Sequence, residues 1–457
     1  MPSISPSPLG SVRVGRRTLL GAAAGIGALA LAGCSPAAQS NSGSTGGAAT
    51  VTVRLWDQQV QAAYETGFAA FTAKNPGIKV TTTLVPWANY FTKLQADVGG
   101  GNADDIWLMN GAYIQTYITN KSIIPIGDDF SSQKSGWIQP AIDQYTSNGN
   151  LWGVPQLTDG GIAIYYNKSL LDAAGVSVAQ IRDLSWVPGG GSGDTFLPIV
   201  QKLTLDANGK RGNEPGFDGT KPQIWGYSAA QDLQGIYYNF LGSNGGSFQA
   251  ADDTFNFNSP QGVEAFQYIV DLINKYQVSP AAGNTNANGD FTRDQFLQGK
   301  IALFQSGVYN LKDVFDGAKF EWGLVPIPAG PAGRISVVNN TVVVGNAKSK
   351  NSAATLKVLQ WLGSVEGASF VGKAGAALPA VSGAQDAFKQ FWAAKKVDPS
   401  QFARQGAQKS IGAPTGSHYG AAASAWKPYF DAMFLGRTPV ATALSQAQDA
   451  ANKALQD

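Results

Sequence analysis

Strand-like and helix-like segments alternate between residues 51 and 109, and this order restricts the possible folds more than any other feature of the sequence. Apolar and polar residues alternate over 51–56, which predicts a strand, and apolar residues spaced by three and four over 64–71 predict the helix that follows. Residues 78–85, 91–98 and 105–109 then repeat the order strand, helix, strand. A β-α-β-α-β order predicts an α/β layered fold whose parallel strands are joined by right-handed crossovers.

The ends of these predicted strands carry the first candidate site residues. In an open α/β sheet, ligands bind beyond the carboxyl ends of the strands. Trp56 and Asp57 follow the first predicted strand, Trp87 lies in the turn after the second, and Asn110 follows the third. We therefore expect these four side chains to lie along one edge of the sheet.

The composition excludes several classes of partner. Charged residues make up 14% of the 457 residues, with 33 basic and 31 acidic side chains and no run of Lys or Arg, whereas a nucleic-acid interface needs clustered positive charge. The chain has one cysteine, Cys34, and one histidine, His418, which excludes an internal disulfide and argues against a Cys/His zinc site. We therefore expect no nucleic-acid partner, no metal and no cofactor.

Motifs of catalysis are largely missing from the sequence. The glycine-rich stretch 189–193 is followed by Asp194, which would repel a phosphate, and no Gly-x-Ser-x-Gly sequence is present. A lone histidine such as His418 is more often structural than part of a triad, although the sequence leaves a triad open. Adjacent carboxylates such as Asp104 and Asp105 point to opposite faces of a strand and do not form the spaced pair that glycoside hydrolysis needs. We expect no catalytic residue.

The amino end has the features of an export signal. Arg13, Arg16 and Arg17 precede an apolar run at 18–33, whose sixteen residues would span about 24 Å as a helix, less than the ~30 Å hydrocarbon core of a membrane. The run ends in Leu31-Ala32-Gly33-Cys34, which resembles a bacterial lipobox, and the paired arginines resemble a twin-arginine (Tat) signal. We predict a signal peptide at 1–33, lipidation of Cys34, and a flexible tether at 34–49.

The order of motifs from residue 51 to the carboxyl end resembles the extracellular solute-binding proteins of bacterial ABC transporters, in the carbohydrate group related to maltodextrin-binding protein. Ala103 departs from the family pattern, which usually has proline there. The motifs that carry the resemblance are, in chain order, Trp56-Asp57, Phe68-x-x-Phe71, Asn75-Pro-Gly-Ile-Lys-Val80, Trp87-x-x-Tyr90-x-x-Lys93-Leu94, Ala103-Asp-Asp-Ile-Trp107, Gly153-Val-Pro155 with Tyr165-Tyr-Asn-Lys168, Phe296–Leu303 with Ser306-Gly-Val-Tyr309, Trp322–Pro328 and Gly436–Leu444.

The resemblance implies a two-lobed, class II periplasmic-binding-protein-like fold with a hinge and a ligand cleft between the lobes. Lobe one would comprise 50–157 plus 341–376, and lobe two 158–340 plus 377–457. The chain would cross between lobes near 157–159, 338–341 and 373–380. The implied protein is a monomer, held by its lipid to the outer face of the cytoplasmic membrane, that passes a carbohydrate to the permease subunits of an ABC importer.

The family positions also complete the set of candidate ligand contacts. Asp159 matches a carboxylate position at the first crossing, where it would accept hydrogen bonds from sugar hydroxyls, and Tyr309 matches a position where the family stacks an aromatic ring on the sugar. The full candidate set is Trp56, Asp57, Trp87, Asn110, Asp159, Tyr237, Tyr309 and Tyr419.

Three other functions stay open from the sequence. One is a binding protein whose ligand is a non-sugar polyol or a glycerophosphoryl compound, and the latter would require Lys or Arg in the cleft. A secreted glycoside hydrolase would need two spaced carboxylates. A surface lipoprotein without a transport role would need neither a closing cleft nor a small-molecule ligand.

Overall fold

The computed structural model describes residues 48–407 and 409–456. The predicted signal peptide at 1–33 and the predicted lipidation site Cys34 lie outside these residues. Among the helices described, none combines the length and apolarity needed to cross a membrane.

The chain forms helices and strands in an alternating order. The first part contains β1 (Ala49–Leu55), α1 (Gln58–Lys74), β2 (Ile78–Leu84), α2 (Trp87–Gly99), β3 (Ile106–Asn110), α3 (Gly111–Thr119), α4 (Ser131–Lys134), α5 (Gln139–Gln144), β4 (Thr146–Ser147), β5 (Asn150–Leu151) and β6 (Val154–Thr158). The middle part contains β7 (Ile162–Asn167), α6 (Lys168–Ala173), α7 (Val178–Arg182), α8 (Phe196–Leu203), β8 (Leu205–Asp206), β9 (Pro222–Tyr227), α9 (Tyr238–Ser243), α10 (Pro260–Asn274), α11 (Ala282–Thr285), α12 (Phe291–Leu297), β10 (Ile301–Gly307), α13 (Leu311–Gly317), β11 (Trp322–Pro326) and β12 (Ser336–Val338). The last part contains β13 (Asn340–Gly345), α14 (Ser352–Leu362), α15 (Val365–Lys373), α16 (Gln385–Ala394), α17 (Ser400–Gly406), β14 (Ser410–Gly412), α18 (Tyr419–Phe434) and α19 (Val440–Ala454).

The first large sheet has the strand order β2-β1-β3-β13-β6 and forms the centre of lobe one. Its strands β1, β2 and β3 are parallel and are joined by helices α1 and α2, as the alternation of the sequence predicts. Strand β13 returns much later in the chain and pairs antiparallel with both β3 and β6. The α/β fold predicted from the sequence is therefore confirmed.

The second large sheet, of order β11-β7-β10-β9-β8, forms the centre of lobe two. Successive side chains of a strand point to opposite faces. In β7, Ile162 and Ile164 face one apolar core, whereas Ala163 and Tyr165 face another. The sequence of β7 is therefore almost continuously apolar, because both faces of this sheet are covered.

The chain passes between the two sheets at three places that lie side by side. The segment between β6 and β7 is bonded to the one between β12 and β13, since the Asp159 N–H donates to the Asn339 carbonyl at 3.1 Å. The Thr158 N–H donates at 3.0 Å to the carbonyl of Leu378, which lies in the segment after α15. Gly161 in the first segment has φ 135°, and a Cβ there would lie 2.8 Å from the backbone nitrogen of Gly406. Only glycine fits this position.

The residues that follow α15 divide between the two lobes. Val381 and Ala384 pack in the core of the first sheet, whereas Phe388 and Trp392 on α16 pack in a core of the second. The lobe boundaries given above stay a prediction.

Candidate ligand cleft

Trp56 and Trp87 lie against each other at the carboxyl end of the first sheet. Trp56 follows β1 and Trp87 begins α2, and their ring centroids are 5.2 Å apart with the planes at 74°. The ring of Tyr90, one helical turn after Trp87, also contacts the ring of Trp56, with the centroids 4.9 Å apart. Trp87 is 50% exposed, an unusual state for so large an apolar side chain. Two of the predicted strand-end aromatics therefore form one surface.

A row of aromatic rings continues from this surface to lobe two. Phe91 contacts Trp87 at 5.3 Å and stacks on Tyr113 with a centroid distance of 3.7 Å and an angle of 9°. Tyr113 in turn meets the edge of Tyr419, the first residue of α18, at 5.1 Å and 89°. Tyr113 is not among the predicted site residues, although it lies in the first turn after β3 and satisfies the same strand-end rule.

Asp57 begins helix α1. Its carboxylate accepts a hydrogen bond from the Val60 N–H at 2.9 Å, which satisfies one of the unpaired amides at the helix start. Burial and, to a smaller extent, the nearby carboxylate of Asp313 raise the pKa of Asp57 to about 6, although the Val60 N–H and the guanidinium of Arg293 act in the opposite direction. This side chain is both a helix cap and a partly desolvated acceptor.

Asn110 caps the start of helix α3, as Asp57 caps the start of α1. It is 8% exposed, and its Oδ1 accepts a hydrogen bond from the Ala112 N–H at 2.9 Å as the cap of α3. Part of its hydrogen-bonding capacity is therefore used locally.

Asp159 lies in the first segment between the lobes and faces a network of amides. Its carboxylate accepts from Gln234 Nε2 at 2.6 Å, and its pKa is raised to about 6 by burial and lowered in part by that hydrogen bond. In the neighbouring segment, Asn339 Oδ1 accepts from Gln144 Nε2 at 2.7 Å, and the Asn340 side chain donates to Gln144 Oε1 at 2.8 Å. These amides are missed by the sequence reasoning, because their partners are 75 to 196 positions distant.

The two remaining tyrosines of the candidate set differ in their surroundings. Tyr309 follows β10, and burial raises the pKa of its hydroxyl well above its ordinary value, with contributions from the carboxylates of Asp232 and Asp159. Tyr309 thus lies near Asp159. Tyr237 is only 3% exposed, and its ring packs among Phe266, Phe248 and Phe430 in the core of lobe two.

Two glutamines of lobe two have buried carbonyl oxygens without a protein partner. Gln305 on β10 donates from Nε2 to the Gly235 carbonyl at 2.7 Å, but its Oε1 accepts no bond, and neither does Oε1 of Gln231 in the loop after β9. Such an atom costs free energy unless a donor reaches it. The described residues contain no cluster of three or more His, Cys, Asp or Glu side chains that would hold a metal ion.

Comparison with known proteins identifies relatives along most of the chain. The family described as bacterial extracellular solute-binding proteins matches residues 56–369. The crystal structure of UspC from M. tuberculosis is 49% identical, with a TM-score of 0.69 over 89% of this chain and 100% of that one. An ABC substrate-binding protein of Listeria monocytogenes, solved with cycloalternan, is 20% identical with a TM-score of 0.75 over 89% of this chain and 99% of that one. An erythritol/L-threitol-binding protein of Mycolicibacterium smegmatis is 22% identical over 338 residues, which cover 68% of this chain and 66% of that one.

Proposed function

The chain belongs to the family of bacterial extracellular solute-binding proteins, and on that basis we propose that it captures a mono- or oligosaccharide between its two lobes and delivers it to an ABC importer. It acts without catalysis. The observation that carries this proposal is the row of aromatic rings beside carboxylate and amide oxygens where the two lobes meet, from Trp56 and Trp87 to Tyr113 and Tyr419.

The chemistry of a sugar matches this arrangement. A pyranose ring has apolar C–H faces, which pack on aromatic rings, and a rim of hydroxyls, which donate to carboxylate and amide oxygens. The exposed face of Trp87 supplies the first kind of contact, and the carboxylate of Asp159 supplies the second. A buried acceptor that is matched to one hydroxyl disfavours a ligand without it by about 1–3 kcal/mol.

A polyol is the second candidate. The M. smegmatis relative binds erythritol or L-threitol by its name, so a linear polyol lies within the range of the matched proteins. A linear polyol offers hydroxyls but no ring face, and it would use the amides of the hinge without the aromatic row. The exposed aromatic surface therefore favours a cyclic sugar.

A thermal-shift screen over sugars, linear polyols and glycerophosphoryl compounds tests the proposal. A ligand at ten times its Kd should raise the free energy of unfolding by about 1.4 kcal/mol. Stabilisation by non-sugars alone would overturn the sugar assignment. Release of cleaved product, abolished by Asp57→Asn with Asp159→Asn, would instead indicate a hydrolase.

Trp87→Ala, followed by titration of the sugar that the screen identifies, tests the site itself. Because half of the Trp87 surface is exposed, we expect unfolding to change little, while the Kd for the sugar rises roughly tenfold. Trp322→Ala is the matched control, since Trp322 is a partly exposed tryptophan on β11 outside the aromatic row. Equal loss of affinity in both variants would contradict the placement of the site.

The membrane attachment through Cys34 belongs to the same proposal. A diacylated first residue would keep the binding protein beside its permease, and the polar segment up to residue 49 is long enough to act as a flexible tether. Incorporation of an alkyne-labelled fatty acid in cells, lost in Cys34→Ser, tests this step. Equal labelling of both proteins would exclude Cys34 as the site.

A further inference from the structure

A polar contact joins the two lobes at the start of helix α1. Gln59 is the second residue of α1, and its Nε2 donates to Oδ1 of Asp313 at 3.1 Å across 254 positions of sequence. Asp313 lies on α13, whose Leu311 and Val314 pack in a core of the second sheet. This hydrogen bond therefore connects an element of lobe one with an element of lobe two.

Arg293 holds the other oxygen of the same carboxylate. Its Nη1 lies 3.6 Å from Oδ2 of Asp313, and the guanidinium also contacts Asp290 at 3.2 Å and Asp294 at 3.1 Å. The side chains of Arg293 and Asp313 are 26% and 28% exposed, so the pair is partly shielded from solvent. The two oxygens of Asp313 thus serve different partners, one within its own lobe and one across the cleft.

Asp57 faces this contact from the same end of α1. The charged groups around it are Asp313 and Arg293, and Arg293 is shared with Asp290 and Asp294. Three carboxylates contact this guanidinium and Asp57 is a fourth in its field, so one positive charge cannot neutralise all of them. Bringing the lobes together moves Asp57 towards Asp313, and like charges at short distance oppose that movement.

We propose that Gln59, Asp313 and Arg293 form a lobe-closing latch in which Asp313 is a positioning residue, and that ionisation of Asp57 weakens the latch. The inference concerns the ligand-free protein and holds for any solute that the cleft takes. In the closed arrangement the pKa of Asp57 is raised to about 6 by burial, with Asp313 acting in the same direction. Closure therefore favours the protonated carboxyl, so the closed fraction is highest below about pH 4 and is lost progressively as the pH rises through 6.

Distance measurements between two spin labels test the latch without any ligand. Labels at Thr66→Cys on α1 and Lys319→Cys after α13, both exposed positions, report the separation of the lobes in the full chain, which carries Cys34→Ser in every variant. We expect Gln59→Ala and Asp313→Ala to lower the closed-to-open ratio roughly two- to tenfold at pH 5. The matched control is Asp316→Asn on the same helix, because the Asp316 carboxylate pairs with Lys312. It should behave as the parent does.

Two conservative variants separate the contact from the charge. Asp313→Asn keeps an oxygen that accepts from Gln59, and Asp57→Asn keeps the helix cap. Both should stay closed at pH 5. Asp57→Asn should lose most of the decrease that the parent shows between pH 5 and pH 7.5, whereas Asp313→Asn should lose only part of it, because the burial of Asp57 remains. An unchanged closed fraction in Gln59→Ala, or the full pH dependence in Asp57→Asn, would overturn the latch. Addition of the sugar should close every variant. If it does so while the latch substitutions have no effect, the latch is wrong and the proposed function stands; if it closes none of the variants, the proposed function is wrong.

Discussion

Two of the contacts between the lobes have opposite chemistry. At one, Tyr113 on α3 meets Tyr419 on α18, and Thr116 Oγ1 donates to the Ser417 carbonyl at 2.5 Å. At the other, the lobe-closing latch joins α1 to α13 through groups that are partly exposed and charged. Burial raises the pKa of Tyr113 to about 12, so the aromatic contact keeps one protonation state over the physiological range, whereas the pKa of Asp57, beside the latch, is raised only to about 6. The aromatic contact therefore holds the lobes together independently of pH, whereas the strength of the latch changes with pH.

Removal of Tyr113 should have the largest effect on this pair of contacts. Tyr113→Ala loses the stack on Phe91 and the edge contact with Tyr419, so we expect the free energy of unfolding to fall by about 2–3 kcal/mol and sugar affinity to fall at least tenfold. Denaturant unfolding and calorimetric titration measure the two effects. Tyr113→Phe keeps the ring and should resemble the parent. Similar losses in Tyr113→Phe would show that the hydroxyl, rather than the ring, makes the contact.

An intermediate effect is expected at the hinge. The pKa of Asp159 is raised to about 6 in the folded protein, so its contribution to stability is full below pH 4 and is lost as the pH rises through 6. Asp159→Asn keeps an acceptor for Gln234 and should raise the free energy of unfolding at pH 7.5 by about 1–2 kcal/mol, with little change at pH 4. Urea unfolding of the ligand-free protein at both pH values checks this. A difference that does not depend on pH would refute the titration of Asp159.

Thr116→Val should have the smallest effect and the most direct bearing on the comparison. The substitution keeps the shape of the side chain and removes the hydrogen bond to the Ser417 carbonyl, which we expect to weaken closure by about 0.5–1.5 kcal/mol. The label pair used for the latch should show a closed-to-open ratio that is lowered by the same factor at pH 5 and at pH 7.5, because the latch and its pH dependence are unchanged in this variant. A factor that differs between the two pH values would show that the two contacts are not independent.

The sequence predicts the parts of the molecule that depend on local spacing. The alternation over 51–109 predicts strands β1, β2 and β3 and their parallel pairing, because each strand and crossover helix is specified by neighbouring residues. The ends of those strands then place Trp56 and Trp87 at the same edge, where their rings touch. The ordered motifs of the whole chain supply the family, which the comparisons confirm.

The residues that sequence reasoning missed depend on contacts between distant segments. Gln59 and Asp313 are separated by 254 positions, and nothing near either residue indicates the other. Tyr237 and Tyr309 are both tyrosines near apolar segments, yet the ring of Tyr237 packs among three phenylalanines while Tyr309 lies near Asp159. Burial of this kind is decided by the assembled lobe and not by the residue's neighbours in sequence.

The hydrogen bonds between the three connecting segments have a mechanical consequence. Because Asp159 is bonded to Asn339 and Thr158 to Leu378, the connection between the lobes is a narrow ribbon of three strands and not three separate threads. A bonded ribbon bends readily across its thin dimension and resists sliding or twisting in its plane, because those motions break the bonds between its strands. We therefore expect the lobes to move chiefly by bending of this ribbon, a motion that keeps its three segments bonded to one another.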